Sequence, residues 1–312
     1  MKLVTYRAKR ELRAGIVVDG HIVDLERAAA ALNLGRLPAS VRELLEGGPA
    51  AMRRADRLQQ RARKHITPGP ARAKRPPDWL TRLKNNRLAP PLPDPQKIIC
   101  LGMNYLDHCR EQQGRLGRTV DPPTHPIIFS KFATTLTGPF DPICMPPRRI
   151  STQIDYEVEL AVVIGRTARR VPQKTAMDYV AGYMVINDVS ARDCQFNDKQ
   201  WVRAKSFDTF APCGPWLVTA KEVGNPHRLK LWTRVNGCLL QDGSTRNLIF
   251  RIPKIISFLS QGLTLHPGDV ISTGTPSGVG AFRDPPNLLR PGDLVECGIE
   301  RIGEICNRCR RD

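Results

Sequence analysis

The sequence predicts a mainly β chain of the α+β class, with a β domain of the barrel or roll type behind a small N-terminal α+β domain. Three observations lead there. Beyond residue 95 most apolar runs are short, rich in Val and Ile, and closed by Gly, Pro, Asn or Asp, the mark of strands. Within that region a single stretch, residues 252–262, reads as a clear helix, with Pro253 in its first turn and Gly262 at its end. Ahead of residue 66 the pattern changes. Two apolar runs meet at Asp19-Gly20, a strong hairpin signal, and the Ala-, Leu- and Arg-rich segments 26–34 and 40–65 follow with helical spacing. Between them and the β domain prolines recur, at 76, 77, 90, 91, 93 and 95. The expected division is therefore a small domain over 1–66, a basic proline-rich linker over 67–95 that wraps rather than packs, and a catalytic β domain over 96–312.

Bulk composition narrows the class. Of the 312 residues 41% are hydrophobic and 25% charged, ordinary for a globular protein, and no run is long enough to span a membrane. The N-terminus, MKLVTYR, enters strand-like alternation without a secretory apolar core, so a cytoplasmic location is expected; a mitochondrial matrix location would need a presequence ahead of it. Nine scattered cysteines, mostly single and beside apolar residues, read as buried thiols in a reducing compartment. Cys306 and Cys309 have metal or redox spacing but stand without a second pair, so neither role is expected. The net charge of +18 is concentrated in residues 53–87, where Trp79 is the lone aromatic. A stacking platform for single strands is missing, and no zinc-finger or RRM signature occurs. This reads as a solvated basic arm, with steering of small anions or loose polyanion binding as the other option, rather than as a nucleic-acid site.

The chemistry-bearing residues begin at DYEVEL, residues 155–160, which run into a β-branched segment closed by Gly165. Glu157 and Glu159, two apart on a strand, point to one face. Asp188 ends a second apolar run, 180–187. Three carboxylates without a His or Cys cluster suit a hard cation such as Mg²⁺ or Mn²⁺. An E-x-E pair also occurs on solvated strand faces, so the pair alone does not decide. His108 and Glu111 stand at i and i+3, where a carboxylate can orient an imidazole and raise its basicity; the same pair is common in purely structural roles. Lys205 lies on a loop rich in turn formers. TGTPSGVG, residues 273–280, matches neither dinucleotide nor Walker pattern, and its expected use is backbone N–H donation to a carboxylate.

Together the segments GMNY with His108 three residues past Tyr105, DYEVEL, NDVSARDCQ (187–195), KSFDTFAPCGP (205–215) and TGTPSGVG are jointly specific. Over residues 95–307 the sequence resembles the fumarylacetoacetate hydrolase superfamily. GMNY and IFSKFA (128–133) are most similar to its subgroup of fumarylacetoacetate hydrolase domain-containing protein 2. The resemblance implies a mixed β-roll catalytic domain, a homodimer, and one Mg²⁺ or Mn²⁺ held by Glu157, Glu159 and Asp188. It implies a catalytic dyad of His108 and Glu111 on a lid helix, with residues 110–124 as lid and hinge. Lys205 is implied as a further catalytic residue, and Gln195, Thr275, Tyr105 and Arg192 as substrate-binding residues. One departure stands out: residues 100–105, CLGMNY, lack the additional metal-binding carboxylate of the fumarylacetoacetate hydrolases proper, which points to smaller 2-oxo acids.

The expected activity is C–C hydrolysis of an acylpyruvate through a metal-chelated enolate, with water activated by His108 and substrate charge neutralised by Lys205. The alternative is an oxaloacetate keto–enol tautomerase or decarboxylase. A non-catalytic polyanion-binding protein on the same fold is the distant third reading.

Overall fold

The computed structural model of the chain describes residues 1–66, 77–116 and 121–311. It is mainly β, as expected. A twelve-stranded mixed sheet is centred on the strand Val158–Ile164, antiparallel to Val180–Asn187 on one side and to Val270–Ser272 on the other. Beyond Val270–Ser272 come Ile98–Gly102, in parallel, and the edge strand Ile127–Ser130. In the other direction lie Ala211–Thr219 and then the N-terminal strands Lys2–Ala8, Glu11–Val18 and His21–Asp24. A five-stranded sheet includes Lys230–Val235, Leu294–Ile299 and Gly303–Arg311.

The central strand is buried along its whole length, and its period-two alternation feeds two cores. Leu160 and Val162 face the five-stranded sheet and join Leu231, Val295 and Ile305. Ala161 and Val163 face the N-terminal helices and join Leu44, Ala55 and Leu58. Those helices are α1 (Leu25–Ala31), α2 (Val41–Glu46) and α3 (Gly48–Ile66). Asp24 and Ser40 cap the first two by accepting from Arg27 N and Glu43 N. In α3 the buried residues Ala51, Ala55, Leu58 and Ala62 recur every three or four positions, which turns its arginine-rich face outward.

The later helices are α4 (Leu106–Leu116), α5 (Arg192–Asn197), α6 (Val202–Lys205), α7 (Ala220–Val223) and α8 (Ile252–Gly262). The α8 boundaries are those read from the sequence. Of the proline-rich stretch, residues 67–76 lie outside the described residues. The remainder packs: Leu80–Arg82 pairs with His21–Asp24, Leu88–Ala89 pairs with Lys2–Ala8, and Trp79, Leu88 and Leu92 are buried. All nine cysteines are free thiols. Cys306 and Cys309 lie three apart on one strand, hence on opposite faces, so they cannot share a ligand. Cys238 differs from the buried-thiol expectation. It is exposed just past the Asn236-Gly237 turn, whose two positive φ angles of 52° and 81° suit a tight hairpin.

Candidate active site

The antiparallel register Val158↔Asn187 brings the end of one strand to the start of the other. Asp188 N donates to Glu157 O at 2.8 Å, and Glu157 N donates to Asn187 Oδ1 at 2.9 Å. Glu157, Glu159 and Asp188 thereby offer carboxylate oxygens within 4.8 Å of one another, and all three are buried. A solvated strand face is excluded, because the strand has a core on both sides.

Three cations enter the same ground. Lys205, at the end of α6, donates to Glu157 Oε2 at 2.7 Å and Asp188 Oδ2 at 2.8 Å. Lys131, fully buried, donates to Asp188 Oδ1 at 2.6 Å and to Val189 O at 3.2 Å. Arg192, the first residue of α5, donates from Nε to Asp155 Oδ2 at 2.8 Å and from Nη1 to Gln195 Oε1 at 2.9 Å. Its Nη2 lies 2.6 Å from Glu157 Oε1, a charge contact too poorly aligned to count as a hydrogen bond. Asp155 is itself fixed by Gly280 N and Ala281 N at 2.7 and 3.0 Å.

Glu159 is the carboxylate of the three that no cation touches among the described residues; it accepts from Ser272 Oγ and Gly274 N, at 2.5 and 2.8 Å. Burial, reinforced by the charges of Asp188 and Glu157, pushes its pKa up to about 8. Burial acts on Glu157 in the same sense, but Lys205 and Arg192 outweigh it and hold that group down to about 2. Burial opposes the charge on Lys205, and Asp188 and Glu157 overcome it, raising its pKa. Three clustered carboxylate donors with one left unneutralised fit a hard divalent cation in donor type and in charge.

His108 and Glu111 sit on one face of α4. The ring Nδ1 is 3.0 Å from Glu111 Oε2, and Glu111 Oε1 accepts from Gly278 N at 2.7 Å. Since a carboxylate accepts, Nδ1 carries the proton and Nε2 is the basic nitrogen, 3.0 Å from Gln112 Nε2. The glycine-rich loop thus donates backbone N–H groups to Glu159, Glu111 and Asp155, as its composition suggested.

A cavity of about 140 Å³ joins these groups: His108, Glu157, Glu159, Arg192, Gln195, Lys205 and Thr275 line it, with Phe129, Trp201 and Phe282 as apolar walls. Asp188 lies behind Lys205, and Glu111 behind His108. Tyr105 is not brought to the cavity; it is fully buried and bridges Leu248. Thr275 is positioned by Gln241, whose Nε2 donates to its Oγ1 at 2.8 Å. Of the segment read as lid and hinge, residues 117–120 lie outside the described residues. Sequence reasoning overlooked Lys131, Asp155 and Gln241; the signal for Lys131 was a lone cation inside the apolar run 126–133.

The family described as fumarylacetoacetate (FAA) hydrolase C-terminal matches residues 97–310. The chain is 51% identical over 220 residues to the mitochondrial oxaloacetate tautomerase FAHD2B of Bos taurus, covering 70% of this chain and 68% of the relative. It is 40% identical over 315 residues to the oxaloacetate tautomerase YisK of Bacillus subtilis, covering 99% of each. Among solved structures, maleylpyruvate hydrolase from Sphingobium sp. SYK-6, in complex with manganese(II) and pyruvate, superposes with a TM-score of 0.71 at 29% identity. That match covers 100% of this chain and 99% of the other.

Proposed function

This chain belongs to the fumarylacetoacetate hydrolase family and is an enzyme, and from that premise we propose that it is a divalent-metal-dependent oxaloacetate keto–enol tautomerase. The observation that carries the chemistry is the meeting of Glu157 and Glu159, clustered with buried Asp188, with His108 at one small cavity. The preference for tautomerisation over acylpyruvate hydrolysis rests on relatives at 40–51% identity that bear the tautomerase name.

Glu157, Glu159 and Asp188 would hold Mg²⁺ or Mn²⁺. The ion, when bound, supplies chelation of a carboxylate and the adjacent 2-oxo oxygen, which favours the enolate form. Arg192 and Lys205, turned to the cavity, bind and neutralise the substrate carboxylates, and Gln195 and Thr275 orient them. His108 Nε2 takes a proton from C3, with Glu111 holding the ring and stabilising its cationic form. Return of a proton to the 2-oxo oxygen completes the enol, with no water consumed. A cavity of about 140 Å³ equals roughly five water volumes, the scale of a four-carbon diacid. Exposed Ile128 and Phe132, on and beside the edge strand Ile127–Ser130, support the homodimer that the family implies. Among the described residues no helix is long and apolar enough to cross a membrane.

The test is ¹H NMR of oxaloacetate and of acetylpyruvate with enzyme and Mg²⁺, each repeated with EDTA. Metal-dependent acceleration of keto–enol exchange in oxaloacetate, without acetate from acetylpyruvate, is the expected result. Acetate and pyruvate released from acetylpyruvate, with exchange unaccelerated, would return the assignment to C–C hydrolysis. Net pyruvate formation from oxaloacetate would mark a decarboxylase.

A further inference from the structure

Away from the catalytic cavity, a polar recess of about 520 Å³ is bounded by Asn225, His227, Arg228, Arg246 and Arg251. It brings together the short turn Pro226–Arg228, the turn Thr245–Asn247 and the start of α8. Like charges crowded into one concavity repel, and proteins normally interleave carboxylates to relieve this. Here the three arginine side chains meet no carboxylate and no carbonyl among the described residues. The positive end of α8 adds its dipole to the same field, since its first turn carries no acidic residue, while Ile252 N is already given to His227 and Pro253 has no N–H. His227 Nε2 accepts from Ile252 N at 3.3 Å, which leaves Nδ1–H as a donor on the recess wall.

We propose that this recess is a binding site for a phosphate group, carried either by inorganic phosphate or by a small phosphate monoester. A tetrahedral dianion can accept from several forked guanidiniums at once while facing a helix N-terminus, which a single carboxylate does less well. The site adjoins the catalytic machinery. Residues 247–250, between two of its arginines, are tied to the root of α4: Ile249 N donates to Asn104 O at 2.9 Å, and Phe250 N donates to Asn104 Oδ1 at 2.8 Å. Asn247 Nδ2 reaches Asp107 Oδ2 at 3.4 Å. Phosphate clamped between Arg246 and Arg251 therefore braces the segment from which the His108 helix starts. The inference is independent of which 2-oxo acid the enzyme takes.

The experiment is isothermal titration of the Mg²⁺-loaded full chain at fixed ionic strength with inorganic phosphate, with glycerol phosphate, and with malonate as a carboxylate control. Saturable binding of either phosphate is expected, the tighter of the two identifying the source. R246Q/R251Q should weaken it about tenfold for each guanidinium removed. R228Q alone should weaken it less, as a second variant independent of the α8 start. All three arginines are exposed, so unchanged melting temperatures in chloride are expected to certify the variants as folded. Heats no larger than those of chloride, binding undiminished in R246Q/R251Q, or malonate binding as tight as that of phosphate and likewise lost in R246Q/R251Q would overturn the site; malonate heat that survives in R246Q/R251Q belongs to the catalytic cavity.

Discussion

Glu159 is where the buried cluster has its plainest consequence for solution behaviour. With its pKa raised to about 8, it carries a proton at neutral pH whenever no ion neutralises the cluster. A raised carboxylate pKa means that the folded state holds a proton which the unfolded state gives up near pH 4.5. Its contribution to stability is complete below that value and is lost as pH rises towards 8. The metal-free protein should therefore melt at progressively lower temperature between pH 6 and pH 8.5, and saturating Mg²⁺ should flatten that slope. Metal binding must also expel the proton. Titrations in buffers of different ionisation enthalpy should show proton release at pH 7 and, below pH 8, affinity falling up to about tenfold per pH unit. Slopes that are equal with and without metal would refute this. The pair Glu157 and Glu159 could be read from sequence because strand periodicity is local. Lys131 could not, since its contact with Asp188 spans 57 positions and depends on how the strands pair. A single lysine in an apolar run looks the same whether it snorkels to water or is locked in an ion pair.

The elements around the site hold one another through backbone groups, which makes the largely buried glycine-rich loop sensitive to substitution. Gly278 has φ of +100°, and a Cβ there would run into the Leu240 carbonyl. Its N–H fixes Glu111, which in turn fixes His108. Gly278→Ala is therefore expected to cost ~1–3 kcal/mol of stability and to lower kcat more than KM, because the imidazole loses its orientation rather than its access to substrate. Gly262→Ala serves as the matched control. That position ends α8 in open space, so alanine should leave activity unchanged and add roughly 0.4–1 kcal/mol by restricting the unfolded chain. Equal effects on melting and kcat at the two positions would show that the loop does not support the dyad. Helix α8 and the first hairpin were legible because each has its own stop signals, Pro253 with Gly262 and Asp19-Gly20. The short helices α5 and α6 were not. At six and four residues they lack any helical period of their own, and they exist because Arg192 and Lys205 are pinned to the carboxylates.

At the scale of the whole molecule, the feature hidden from the sequence is that the N-terminal strands continue the sheet of the catalytic segment. Strand periodicity shows that Lys2–Ala8 is a strand without showing its neighbour, and the neighbour is Ala211–Thr219, with Leu3 opposite Leu217. The core on that side mixes the N-terminal and catalytic segments: Leu3, Ile16, Leu44 and Leu58 pack with Ala161, Val163, Met184 and Ile186. Those last four lie on the strand that carries Glu159, where Ala161 and Val163 share its face, and on the strand that leads to Asp188. Residues 96–312 match the family almost from end to end, yet alone they would expose this apolar face and leave Ala211–Thr219 without its partner on that side. A fragment covering 96–312 is accordingly expected to aggregate, or to behave as a loosely packed species with poor metal affinity, under conditions where the full chain is monodisperse. Size-exclusion chromatography with light scattering, followed by Mg²⁺ titration, decides the matter. Restoration by co-expressed residues 1–95 would locate the defect in the missing strands and helices. A monodisperse fragment with full turnover would instead mean that the large sheet tolerates a bare edge, and that the N-terminal segment is a detachable domain.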